Sequence, residues 1–233
     1  PSRGLGDVYK SQSPSRAGEH ARNFLGDWRG KLVCDDFAGY KASFEQGIVE
    51  VGCMAHARRK FFDLHAANKS QLAEQALLTI GALYEVERQA KEMSEEDRRR
   101  IRQRDAVPIA EKLHDWMLTQ RELVPEGSAI AKALDYSLKR WVALTRYLGD
   151  GALPIDNNHV ENQIRPWALG RANWLFAGSL RSGKRAAAIM SLIQSARMNG
   201  HDPYAYLKDV LTRLPTQRAS EIEALLPHQW TPA

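Results

Sequence analysis

A chain of 233 residues with 43% hydrophobic content can bury a sizeable core, as one large domain or two small ones, and reads as an ordinary globular protein. Its two cysteines, Cys34 and Cys53, exclude a disulfide framework. No signal peptide or long apolar span is evident, so the expected location is cytoplasmic, with no membrane partner. A net charge of +5 permits a polyanionic partner, with nucleic acid the natural candidate.

Residues 1–16 are rich in turn formers and lack a clear period, as in an irregular tail. From Gly18 to Trp28, the apolar Ala21, Phe24, Leu25 and Trp28 recur at helical spacing, and Gly30 ends the pattern. Leu32-Val33-Cys34 is a short apolar run bounded by acids, which suits a strand buried on both faces. Asp35 and Asp36 then stand at its carboxyl end, where open α/β sheets bind ligands. A solvated turn before Phe37 fits those two aspartates equally well.

Gly47 to Gly52 reads as a second strand, leading into a helix that opens with Cys53-Met54-Ala55-His56. Cys53 and His56 have the spacing of a zinc pair, but no second pair is found, and a buried cysteine with a helix-start histidine is the preferred reading. Arg58-Arg59-Lys60 suits a solvated face or a phosphate-contacting patch about equally.

Ser70 to Leu148 reads as several helices. Leu72, Ala76, Ile80 and Leu83 form one apolar stripe; Ile109, Leu113, Trp116 and Met117 a second; Ile130, Leu134, Leu138, Trp141 and Leu148 a third. Between the first two, Glu95 to Arg104 mixes signs in the manner of a solvated helix face.

The stretch from Pro154 to Gly178 differs in kind, crowding Glu161 among amides, arginines and tryptophans. Asp156 is a fair N-cap, so a helix starts near Asn157, with Val160, Ile164 and Trp167 as its buried face. Glu161 and Arg165, four apart, lie on an adjacent strip, either as an exposed ion pair worth about 0.3–0.5 kcal/mol or as part of a metal and phosphate site. Pro166 is expected to kink or end the helix, and Asn173 to Ala177 to form a short strand. Gly178 to Lys184 has P-loop spacing, but Arg185 stands where a magnesium-binding Ser or Thr is needed, which excludes an NTPase. A helix from Gly183 to Met198 ends at Asn199-Gly200, and Asp202-Pro203 caps another.

Four segments together carry a resemblance: Asp35-Asp36-Phe37-Ala38-Gly39-Tyr40; Cys53 through His56 to Phe61; Asp156-Asn157-Asn158-His159-Val160-Glu161-Asn162 through Trp174 to Ser179; and Ser191 through Gly200 to Leu207. In this order they resemble the transposase of the insertion-sequence 66 family, over roughly residues 18 to 230. The resemblance implies a helix-rich α/β chain with an RNase H-like DDE catalytic core, interrupted by an all-helical insertion before its last acid. Asp35 matches the second catalytic acid and Glu161 the third. Two divalent cations, Mg2+ or Mn2+, would then serve cleavage and strand transfer in DNA transposition. Arg165, Arg171, Lys184 and Arg185, near Glu161 in sequence, are the candidate phosphate contacts.

The implied partners are DNA, further copies of the chain and accessory transposition proteins. The implied layout is a tail over 1–16, the first part of the core over 17–63, the insertion over 64–150, the rest of the core with the glutamate helix over 151–198 and a helical C-terminal region over 199–233. The family's first acid lies upstream of the second, in a segment with no counterpart here, and Asp7 lies in a stretch unlike the family's pattern. The expectation is therefore a carboxyl-terminal portion lacking the first strands of the core and unable to transpose DNA by itself. The alternative is a catalytically dead DNA-binding or protein-interaction remnant.

Overall fold

The computed structural model describes residue 13, residues 15–174 and residues 177–232, leaving aside the side chains of residues 171–174. The chain divides into two compact units: Ala17–Asn158, and Pro1–Arg16 together with His159–Ala233.

The unit Ala17–Asn158 opens with α1 (Gly18–Leu25), ended by Gly26 at φ 52°, a left-handed value that glycine adopts without strain. β1 (Lys31–Cys34) and β2 (Val49–Gly52) follow as a parallel pair, Lys31 opposite Val49 and Cys34 opposite Gly52. A parallel pair needs a crossover, and a 3₁₀ turn (Ala38–Tyr40) with α2 (Lys41–Glu45) supplies it. The strand expected to be buried on both faces is so only at its end: Cys34 is buried, Leu32 and Val33 are half-buried and Lys31 is exposed.

The chain then turns helical: α3 (Met54–Asn68), α4 (Gln71–Gln89), α5 (Glu95–Ile101), α6 (Val107–Leu123), α7 (Ala129–Lys139) and α8 (Trp141–Thr145). Serine hydroxyls start three of these. Ser70 accepts the Ala73 amide, Ser94 that of Asp97 and Ser128 that of Ala131, each satisfying a first-turn N–H that has no partner within the helix.

One hydrophobic cluster joins the strands to these helices. Val51 of β2 and Met54, Ala57 and Phe61 of α3 pack with Ala76, Ile80 and Leu83 of α4, Leu113 and Met117 of α6, Leu134 of α7 and Leu144 of α8. The segments 17–63 and 64–150 read from the sequence thus share a core. Gly52 permits this packing, since a Cβ there would lie 3.0 Å from the backbone nitrogen of Leu144. The chain also leaves and re-enters the strand region at one place. The Met54 amide donates to Ile155 O (3.1 Å), and the Cys53 thiol donates to Asn157 Oδ1 (3.0 Å).

The mixed-charge run is largely the solvated face expected of it, with Arg102 as the charged exception. Arg102 is fully buried and begins a π-helical turn (Arg102–Ala106) between α5 and α6. Its guanidinium grips Glu87 through Nε (2.8 Å) and Nη2 (2.6 Å) and donates to Tyr147 O (3.0 Å) and Asp150 O (2.7 Å). Sign alternation cannot reveal this, because burial of one arginine depends on acceptors 15 to 48 residues away.

In the second unit, α9 (Asn158–Trp174) starts where expected but runs through Pro166. The proline removes one backbone hydrogen bond while the helix-forming residues on both sides keep theirs. Asn173 and Trp174 are therefore helical and not the start of a strand. Val160 and Ile164, expected to be buried, are 57% and 46% exposed. Helical spacing sets which residues share a face, but burial needs a covering element, and this unit's hydrophobic cluster is built further along. There α10 (Leu180–Met198) and α11 (Pro203–Arg213) contribute Ala196, Tyr206 and Val210, and Leu225 and Trp230 complete it. Trp230 packs edge-on against His201 and Tyr206, and its indole N–H donates to Asp209 Oδ2 (2.7 Å). Among the described residues no helix is long and apolar enough to cross a membrane.

Candidate functional site

Asp35 follows the last residue of β1 and lines a cavity of about 530 Å³. Its Oδ1 accepts the Phe37 amide (3.1 Å), an Asx turn that fixes the carboxylate at the strand end. Its other oxygen has no hydrogen-bond partner among the described residues. Asp36 and Glu50 line the same cavity but are already claimed: Arg140 reaches Asp36 Oδ1 at 2.5 Å and Glu50 Oε1 at 2.7 Å, and donates to Asp35 O at 3.4 Å. Asp35 is thus the one of these three acids that makes no ion pair among the described residues.

Five cations line the rest of the cavity, together with Asp135 of α7, which Arg121 holds at 2.7 Å. Lys41 comes from α2, Lys60 from α3, Lys132 and Lys139 from α7, and Arg140 from the residue after it. Tyr136 sits between them, with Lys60 Nζ 4.7 Å and the Arg140 guanidinium 5.7 Å from its ring centroid. Burial pushes the Tyr136 phenol up to about 12, Arg140 opposing and Asp36 adding to the shift, so the ring is neutral near pH 7. Burial works against the Arg140 charge, but Glu50, Tyr136 and Asp36 outweigh it and hold the guanidinium above its ordinary value. Behind the strand end, burial and then Glu50 push the Cys34 thiol up to about 12.

Lys132, Lys139 and Arg140 were not among the sequence candidates, though a signal existed. Positions 132, 135, 136, 139 and 140 form one polar helical face opposite the apolar stripe Ile130, Leu134 and Leu138.

Glu161 lies in the other compact unit, exposed in the first turn of α9. Arg165, four residues on, is exposed and makes no ion pair among the described residues, so the simple Glu161–Arg165 pair is not formed. Lys184 and Arg185 are exposed near the start of α10, whose N-cap Ser179 accepts the Ser182 amide (3.1 Å). The side chain of Arg171 lies outside the described residues. Cys53 is buried as the N-cap residue of α3, and burial raises its thiol pKa.

The donor chemistry at Asp35, an open hard oxygen at a strand end, fits one ligand position for magnesium or manganese. Among the described residues no three His, Cys, Asp or Glu side chains gather into a cluster that could hold a metal ion.

The geometry defines a helix-rich α/β protein with a carboxylate at a strand end in a cation-walled cavity. The chain belongs to the insertion-sequence 66 transposase family. A family model described as "Transposase IS66 family" matches residues 7–185, and one described as "IS66 C-terminal element" matches residues 191–228. The first match begins upstream of residue 18, where the resemblance was read to start, and takes in the segment containing Asp7. Two relatives from Sinorhizobium fredii (strain NBRC 101917 / NGR234), each described as an uncharacterized protein, are y4hP, 35% identical, and y4jD, 34% identical. Each alignment covers 94% of this chain but only 43% and 44% of the relative, so the chain spans less than half the length of the curated relatives it matches. No solved structure matches the chain.

Proposed function

We propose that this chain is the catalytic region of a DNA transposase, with an RNase H-like core in which Asp35 and Glu161 are metal-binding acids. The observation that carries the reading is Asp35, fixed just beyond the carboxyl end of a parallel strand with one open oxygen, inside a cavity walled by four lysines and an arginine. The parallel pair β1 and β2 with its short helical crossover supports the core assignment.

In the reaction, an oxygen of water or of a DNA 3′-hydroxyl attacks phosphorus in line. A new P–O bond forms as the bond to the leaving 3′-oxygen breaks, the nucleophile loses its proton and the leaving oxygen gains one. Magnesium or manganese, when bound, would supply Lewis-acid activation of the attacking oxygen and stabilisation of the leaving one. Asp35 and Glu161 would hold the metal. Lys60, Lys132 and Lys139 would neutralise phosphate oxygens on the strand entering the cavity, while Arg165, Arg171, Lys184 and Arg185 would contact flanking phosphates. Arg140 keeps Asp36 and Glu50 out of the donor set.

The test is manganese-dependent nicking of a supercoiled plasmid carrying the element's ends, run on this chain, on a full-length form that carries it, and on the Asp35→Asn and Glu161→Gln forms of each. Nicking by the full-length form that either substitution abolishes supports the reading. A second reading is a DNA-binding or protein-interaction remnant without catalysis. It requires salt-sensitive DNA or partner binding, unchanged by Glu161→Gln, with no nicking by any form.

A further inference from the structure

A second cavity, of about 480 Å³, lies on the surface of α3 and α4. Arg58, Arg59 and Phe62 line it from α3, and Gly81, Tyr84 and Arg88 from α4. All three cations are arginines. Arg58 and Arg59 make no ion pair among the described residues, while Arg88 pairs with the exposed Glu85 one turn back. Tyr84 is occupied, its hydroxyl donating to Asp156 Oδ2 at 2.7 Å. Phe62 is 50% exposed, with the Arg58 guanidinium 5.9 Å from its ring centroid.

Gly81 is the second observation. Glycine inside a helix costs about 1 kcal/mol relative to alanine, and Gly81 stands mid-way along α4. No close neighbour demands it, since a Cβ there would meet nothing within 4 Å. Its effect is to leave the cavity wall bare beside Phe62 and the arginines.

An exposed aromatic face among planar, permanently charged forks is a combination suited to a nucleotide. The base stacks on the ring and beside a guanidinium, and the phosphate takes paired N–H donors. Bases inside a duplex have no free face to offer, and the cavity has the size of a small-ligand site. We propose that this groove binds an unstacked nucleotide of a single DNA strand, its base on Phe62 and its phosphates on Arg58, Arg59 and Arg88. A free nucleotide shares that chemistry; the choice of a DNA strand rests on the transposase reading.

Fluorescence anisotropy with an oligothymidylate of roughly ten nucleotides and a blunt duplex of equal length tests this. Phe62→Ala and Gly81→Leu should each weaken single-strand binding by about ten-fold, the scale of one lost base stack, and change duplex binding by less than about two-fold. Gly81→Leu fills the groove while improving helix propensity, so it should melt no lower than the parent, which separates a blocked site from a damaged fold. Strand binding is measured without divalent metal and plasmid nicking with it, so the groove and the metal site can fail independently. Equal losses for strand and duplex, or no loss from either groove variant, would overturn the proposal. Displacement of the strand by thymidine monophosphate at concentrations matching the strand's own would overturn the assignment to DNA.

Discussion

Arg140 and Glu50 are joined across 2.7 Å, tying the end of α7 to the second strand, and the same guanidinium holds Asp36 at 2.5 Å. One side chain of the helical segment thus restrains both strands at the mouth of the Asp35 cavity. Arg140→Ala should cost about 1.5–3 kcal/mol in urea unfolding, because it strips charged hydrogen bonds from two neighbouring acids. Arg140→Lys should fall between parent and alanine, since a single ammonium cannot fork to two carboxylates. A cost for Arg140→Ala within error of zero would show that the bridge contributes nothing to stability.

Arg102 makes a harsher case. Its partners are one carboxylate and two carbonyl oxygens, and its side chain is 1% exposed. Arg102→Ala leaves Glu87 charged without a partner and should cost about 3–5 kcal/mol, whereas Arg102→Met combined with Glu87→Leu should recover much of that loss. Chemical denaturation of the parent, Arg102→Met, Glu87→Leu and the combined variant, as a double-mutant cycle, measures the coupling.

Gly151 lies so close to the Glu95 carbonyl that no side chain fits, and Arg98 Nη1 donates to its carbonyl oxygen at 3.0 Å. Gly151→Ala must therefore push the start of α5 away. A loss of about 1–3 kcal/mol in thermal or urea unfolding is expected, as for other overpacked sites.

The two thiols supply a pH dependence. Burial raises both pKa values, that of Cys34 to about 12, so the folded protein keeps neutral thiols where an unfolded one ionises, near 8.5. This contribution to stability is fully present below about pH 8.5 and is lost as pH rises from there towards 12. At pH 8 a thiol reagent should label neither cysteine in the folded chain and both in urea. Rapid labelling of either one in the folded protein would contradict the burial described here.

The strands, the start of α9 and the position of Asp35 were legible because each follows from a local pattern: a short apolar run bounded by acids, or a capping aspartate. The other wall of the cavity was not. Lys132, Lys139 and Arg140 meet Asp35 only because α7 folds back about a hundred residues later, and no local period encodes that return. Arg102 was hidden for the same reason. Val160 and Ile164 show the converse: their spacing marks a helical face correctly, yet spacing alone does not say whether anything covers it. Pro166 misled because one missing hydrogen bond in a helix of 17 residues is a tolerable loss.

The contacts of Cys53 with Asn157 and of Met54 with Ile155 bring together positions about a hundred residues apart in sequence. Everything between them is, topologically, a side excursion whose two ends meet. Such a cassette can be lengthened, shortened or exchanged in evolution without redirecting the strands that precede it or the glutamate helix that follows. The exchange carries conditions: whatever replaces the excursion must still cover Val51, leave Gly52 its close approach and supply a cation to Asp36 and Glu50, or the strands that it springs from lose their core and their tie.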